Sequence, residues 1–254
     1  MIAAISMMLA AIAAPAQVFR SLLGFDNADG AYPYAGLVQG IDGNLYGTSQ
    51  EGGTQSDGTV FKITSDDALT TLYSFCFSDG FTPEAPLIQG SDGNLYGTTV
   101  AGGTGPKCSA GFADGCGTVF KIVPGGARTT LHNFENTDGE IVYGGLVQAT
   151  SGTYGIPFGG GLDGYGTIFS EAVGLGPFVT TLPTSRKVGQ RVAILGNNLT
   201  GATSASFNGT AARFTVVSSS EITTTVLNGA TTGKVQVTKP TGTLSSNVPF
   251  RVRT

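Results

Sequence analysis

The chain has 254 residues, of which 40% are hydrophobic and 12% charged, the latter about half the ordinary share. That much apolar material buries a sizeable core and excludes general disorder, while 40 glycines disfavour long helices and suit short strands joined by tight turns. The net charge of −4 conceals a split: residues 1–182 hold 16 acidic and 5 basic side chains, residues 183–254 hold 8 basic ones and a single acid, Glu221. A step this sharp signals two domains, and because the basic half has no Lys/Arg run, no nucleic-acid partner is expected.

Residues 1–16 read MIAAISMMLAAIAAPA. The apolar run is shorter than the roughly 20 residues a spanning helix needs, so no membrane span is expected. Ala14-Pro15-Ala16 is a small-x-small cleavage pattern, and residues 1–16 read as a secretory signal peptide that lacks the usual leading basic residue. Secretion or display at the cell surface follows as the expectation. Cys108 and Cys116 share a Gly-rich insertion and form the disulfide candidate of an exported chain. Cys76, inside the strand-like Tyr73–Phe77, is expected to be an unpaired buried thiol.

Repetition organises residues 17–177. DGNLYGT occurs at Asp42–Thr48 and again at Asp92–Thr98; GTVFKI occurs at Gly58–Ile63 and Gly117–Ile122, with Gly166–Phe169 as a shorter third copy. LTTLYSF (69–75) matches RTTLHNF (128–134), and Arg20–Phe25 is a degenerate earlier copy. The turns at Asp29-Gly30, Asp79-Gly80 and Asp138-Gly139 follow Phe25, Phe75 and Phe134 at one fixed spacing. Each unit reads as four antiparallel strands; for the second these are 69–75, 86–90, 94–99 and 117–122. Asp92-Gly93 between extended runs predicts a two-residue hairpin in which both central residues take positive φ. Four strands about every 50 residues is the arithmetic of a propeller blade.

These residues, GLVQG-x-DGNLYGT followed by GTVFKI and TTLYSF, resemble the GloVer tandem repeat of exported bacterial proteins, and DGNLYGT is also similar to the blade motif of regulator-type β-propellers. The resemblance implies a secreted or surface repeat array and carries no catalytic residue with it. In the third copy, SGTYGIPF (151–158) replaces DGNLYGT. About three units fall short of the four or more blades of a closed propeller, so a piece of a longer array, or an open stack that self-associates through its sheet edges, is expected.

From Phe178 onward the strands turn Thr/Val-rich. Seven are predicted, near 178–182, 191–195, 205–207, 214–217, 222–226, 234–238 and 248–252, which is a small β-sandwich. Gly189–Leu199, Ala205–Gly209 and Asn247–Val252 resemble the opening, middle and close of an IPT/TIG domain, an immunoglobulin-like module over residues 178–254. The predicted fold class is therefore all-β: an incomplete propeller-like array of about three four-stranded blades followed by an IPT/TIG sandwich.

Chemistry is sparse. The single histidine, His132, stands in the slot of Tyr73. No GxSxG, HExxH or P-loop is present, so no catalytic residue is assigned. Asp29, Asp42, Asp79, Asp92 and Asp138 recur because Asp before Gly closes its own turn. No DxDxDG loop supplies calcium oxygens, and neither a metal nor a cofactor is expected. Tyr46 and Tyr96 recur in the blades and are the candidate ligand contacts, by stacking on a sugar, against a reading as packing residues. The expected function is non-catalytic binding of a carbohydrate or a surface protein; the alternative is an accessory or remnant part of a polysaccharide-acting enzyme.

Overall fold

The structure, a computed structural model, describes residues 19–105, 115–149, 152–171 and 178–253. Four antiparallel strands make the first sheet: β1 (Val38–Gln39), β2 (Leu45–Ser49), β3 (Thr59–Ile63) and β4 (Leu69–Ser74), in sequence order. The second repeats it with β5 (Ile88–Gln89), β6 (Leu95–Thr99), β7 (Thr118–Ile122) and β8 (Arg128–Asn133). Registers agree residue for residue: Tyr46 faces Lys62 and Tyr96 faces Lys121, and each last pair carries a bulge at its Val-Phe step. The third sheet has three strands among the described residues, β9 (Val147–Ala149), β10 (Gly152–Gly155) and β11 (Phe169–Glu171). The fourth strand expected there is not among them.

Two expectations are corrected. The strand 69–75 does not open the second unit; it closes the first sheet, paired with β3 across a turn in which the Thr64 N–H donates to Ala68 O at 3.0 Å. A short antiparallel connection makes β3 its nearest partner, whereas β5 is reached only after the Asp79-Gly80 turn. The Asp-Gly hairpins are also not two-residue loops. Only Gly43 (φ 87°) and Gly93 (φ 83°) turn left-handed there, and each loop closes through the N–H of Gly43 or Gly93 on Gly40 or Gly90 and of Gly40 or Gly90 on Asn44 or Asn94. The Asp thus keeps ordinary backbone angles and uses its side chain instead.

The same residues stitch one sheet to the next. Phe25, Phe75 and Phe134 place their rings edge-on to Phe61, Phe120 and Phe169 at 5.1, 5.2 and 5.0 Å. Backbone N–H groups of Ile41 and Ser91 donate to the side-chain oxygens of Gln89 and Gln148 in the following sheet. Thr59, Thr118 and Thr167 hydroxyls donate to the carbonyls of Asp29, Asp79 and Asp138. Arg20–Phe25 forms no strand, yet Phe25 still occupies the stacking position.

The C-terminal region is a sandwich of two four-stranded sheets. Its strands are β12 (Thr180–Leu182), β13 (Ser185–Lys187), β14 (Arg191–Leu195), β15 (Ser204–Phe207), β16 (Thr210–Ala212), β17 (Phe214–Val216), β18 (Glu221–Thr225), β19 (Val235–Lys239), β20 (Gly242–Ser245) and β21 (Arg251–Arg253). One sheet runs β12-β14-β18-β17, the other β16-β15-β19-β20, and β13 pairs in parallel with β21. Val192, Ile194 and Ile222 from the first meet Phe207, Val235, Val237 and Leu244 from the second in one core. The seven predicted strands are all present; β13, β16 and β20 are additional.

Candidate functional site

In the repeats, the recurring polar residues turn inward on one another. The Tyr46 hydroxyl donates to Asp42 at 2.7 Å, and the same carboxylate accepts the Asn44 amide at 2.7 Å. Asp92, Asn94 and Tyr96 repeat the knot at 2.6 and 2.9 Å. Both tyrosines are 0% exposed. Burial, reinforced by the hydrogen bond to Asp42, pushes the Tyr46 hydroxyl up to about 12 and raises that of Tyr96 further. Burial works against ionised Asp42, but its hydrogen bonds from Tyr46 and Asn44 outweigh it and hold its carboxyl below the usual value. The stacking role considered for Tyr46 and Tyr96 is therefore corrected: the rings are enclosed in the core, so neither has a face to offer a ligand.

The turn aspartates do what local chemistry predicts. Asp29, Asp79 and Asp138 each accept the backbone N–H three residues earlier. Asp79 also accepts the Tyr73 hydroxyl and lies 3.7 Å from Arg128, and Asp138 stands 2.9 Å from His132. His132 thus fills the place of Tyr73, with a ring nitrogen in place of the hydroxyl. Arg128 is enclosed, its guanidinium 5.2–5.4 Å from the centres of Tyr73, Phe75 and Phe120. Burial lowers its pKa against the opposing pull of Asp79.

Cys116 is disulfide-bonded, and Cys108, its proposed partner, lies outside the described residues. Cys76 is free, as expected, but it is not buried: it follows β4 and precedes a 3-10 turn, half-exposed, with its sulfur 3.3 Å from the Ser78 hydroxyl. Residues 1–16, expected to be a signal peptide, also lie outside the described residues.

Partnerless polar groups gather instead on the sandwich. In β18, Ile222 and Thr224 point into the core, which turns Glu221, Thr223 and Thr225 outward. Thr225 pairs with Arg191 of β14, and Thr223 pairs with Ala193 on one side and Thr215 on the other. Arg213, just before β17, completes the row on the far flank of Thr225; its carbonyl accepts the buried Thr224 hydroxyl at 2.7 Å. Arg191, Arg213, Thr215, Thr223 and Thr225 line a cleft of about 170 Å³. Neither guanidinium makes an ion pair or hydrogen bond among the described residues, and neither do the three outward hydroxyls. Sequence reading singled out none of these residues. The excess of basic charge after residue 183 was the available signal, but it does not say which face carries it.

Repeated antiparallel sheets, with their recurring polar knots turned inward, are joined to an immunoglobulin-like sandwich, an arrangement that suggests a repeat protein of the surface or binding type. The family comparison is specific: residues 12–214 match the Gloeobacter/Verrucomicrobia repeat, and the chain belongs to that family. Residues 177–252 match the IPT/TIG domain. No curated protein matches. Solved structures that match include a fungal alcohol oxidase of the AA5 family with copper, at 13% identity and a TM-score of 0.40, covering 88% of this chain and 55% of that one. Another, assigned as a gluconolactonase, matches at 13% identity and a TM-score of 0.32, covering 83% of this chain and 72% of that one. The chain thus spans little more than half the length of the oxidase.

Proposed function

We propose that the protein is exported and works outside the cell or on its surface as a non-catalytic binding protein, with the repeat sheets as a rigid support and the IPT/TIG sandwich as the part that meets a carbohydrate or protein ligand. The observation that carries this reading is where the polar side chains go. In the repeats the recurring Asp, Asn and Tyr groups satisfy one another, whereas on the sandwich two arginines and three threonines face outward without partners. Groups engaged in holding turns and tyrosines are poorly placed to transfer protons in a reaction.

Export is supported by the small-x-small pattern at Ala14–Ala16 and by a disulfide at Cys116. No helix among the described residues is long and apolar enough to cross a membrane. Two measurements test the proposal. N-terminal sequencing of chain recovered from the medium or envelope of an expressing bacterium is expected to begin at Gln17; an intact Met1 on cytoplasmic protein refutes export. A screen of the purified chain against immobilised glycans and envelope proteins is expected to show saturable binding without product release. Turnover of a polysaccharide abolished by changing Asp79 or Asp138 refutes the non-catalytic role.

A further inference from the structure

We infer that the cleft on the β14-β18-β17 face of the sandwich binds an acidic polysaccharide through a carboxylate or sulfate group on one sugar, held between Arg191 and Arg213 over Thr225. The inference deepens the binding role just proposed and rests on it.

The geometry argues for a single anionic group. Arg191 and Arg213 flank Thr225 from strands two apart, a span of about 10 Å between backbones. Side chains of that length reach inward from both sides to one carboxylate or sulfate, which accepts charge-assisted hydrogen bonds from both guanidinium forks. The hydroxyls of Thr225, Thr223 and Thr215 continue the site along the face and suit the hydroxyls of a sugar ring.

Charge favours an anion as well. Residues 183–254 hold eight basic side chains, and their one acid, Glu221, stands four residues along β18 from Thr225. That is about 13 Å of extended strand, beyond the roughly 8 Å screening length of physiological salt. Glu221 therefore leaves the arginine pair uncompensated. The rest of the domain's free cations lie elsewhere: Arg251 and Arg253 stand on β21, beside Ser185 and Lys187 of β13. The cleft is small, exposed and flanked by hydroxyls, which matches a sugar unit better than the regular phosphate track of a duplex.

The test uses the full chain and polygalacturonate, with its fully methyl-esterified form as the neutral control, measured by calorimetry over a salt series. Binding is expected to polygalacturonate alone. The R191Q/R213Q variant is expected to lose about tenfold or more in affinity, whereas R251Q/R253Q, which removes the same charge from another strand, is expected to stay within about twofold. Circular dichroism on both variants confirms folding, and T225V, a near-isosteric change, gives a second probe of the same cleft. Equal losses in the two double variants overturn the site in favour of diffuse charge. Tighter binding of duplex DNA than of polygalacturonate overturns the ligand class. A dimer in sedimentation that R191Q/R213Q dissolves overturns it too, since the occupant is then the acidic repeat region of a second copy. Binding of neutral glycans or of a protein, untouched by R191Q/R213Q, refutes this inference and leaves the general binding role standing.

Discussion

The hydroxyl of Tyr46 is the one polar atom of a side chain otherwise enclosed in the core, and Asp42 stands where it emerges, four residues earlier across the turn. A buried hydroxyl without a partner costs about 1–3 kcal/mol, so the recurring Asp is required by the recurring Tyr. The pair has a definite pH signature. The Tyr46 hydroxyl is raised from 10.0 to about 12, so its stabilising contribution is complete below pH 10 and is lost as the pH climbs through 12. Asp42 is shifted the other way, below 3.8, so its share is present above that value and is lost only as acid protonates it in the folded state. Spectrophotometric titration is expected to show Tyr46, Tyr73 and Tyr96 ionising well above pH 10, together with alkaline unfolding. Ionisation of Tyr46, Tyr73 and Tyr96 near pH 10 in the folded protein contradicts the assignment.

At the scale of a strand, the Gly of each Tyr-Gly step has a packing cause. Gly47, Gly97 and Gly155 lie under an aromatic ring from the neighbouring strand and a leucine from the segment before the sheet: Phe61 with Leu37, Phe120 with Leu87, and Phe169 with Leu146. A Cβ on Gly97 falls 2.6 Å from the Phe120 ring and 2.7 Å from Leu87, inside any real contact distance. Overpacking of this kind costs about 1–3 kcal/mol, and G97A is expected to lower the urea midpoint accordingly. G93A, by contrast, meets only the Ile41 Cδ1 at an ordinary contact distance of 3.6 Å and is limited by its left-handed backbone. Equal stability of G97A and the parent chain contradicts the ring-over-glycine packing. The same Gly explains the decayed third copy: Gly155 persists under Phe169 although the Asp and Asn of DGNLYGT are gone, so packing was retained there and the knot was not.

Across the whole repeat region, consecutive sheets are joined by an aromatic pair at both junctions and by a cation at one. Arg128 of the second sheet sits on Tyr73 and Phe75 and donates to the Asp79 carbonyl, in the slot that Leu69 occupies in the first sheet. One of its nitrogens, Nε, is buried without a partner. Replacing a buried cation by an apolar side chain is often neutral or stabilising, whereas removing its counter-charge strands it. R128L is therefore expected to change stability by less than about 1 kcal/mol. D79A is expected to lose about 3 kcal/mol, and D79A/R128L to recover much of that. A chemical-denaturation cycle measures the three; a large loss in R128L alone contradicts the view that the cation is a replaceable clamp.

What the chain determined unaided was periodic. Recurrence of DGNLYGT and GTVFKI marked the antiparallel units, the recurring Phe positions marked the joints, and the alternation in residues 178–252 marked the sandwich, because side chains alternate across a strand and turns need Gly and Asp. Which strand closes which sheet was not legible from recurrence, since a repeat read from its motifs alone can begin or end at 69–75; the short connection from Ile63 to Leu69 and the hydrogen-bond pairing assign it to β3. Nor could recurrence tell an enclosed tyrosine from an exposed one: Tyr46 and Tyr96 have the same neighbours in either case. The arginine cleft was least visible of all, because Arg191, Arg213 and Thr225 are far apart along the chain and meet only when β14, β18 and β17 lie side by side.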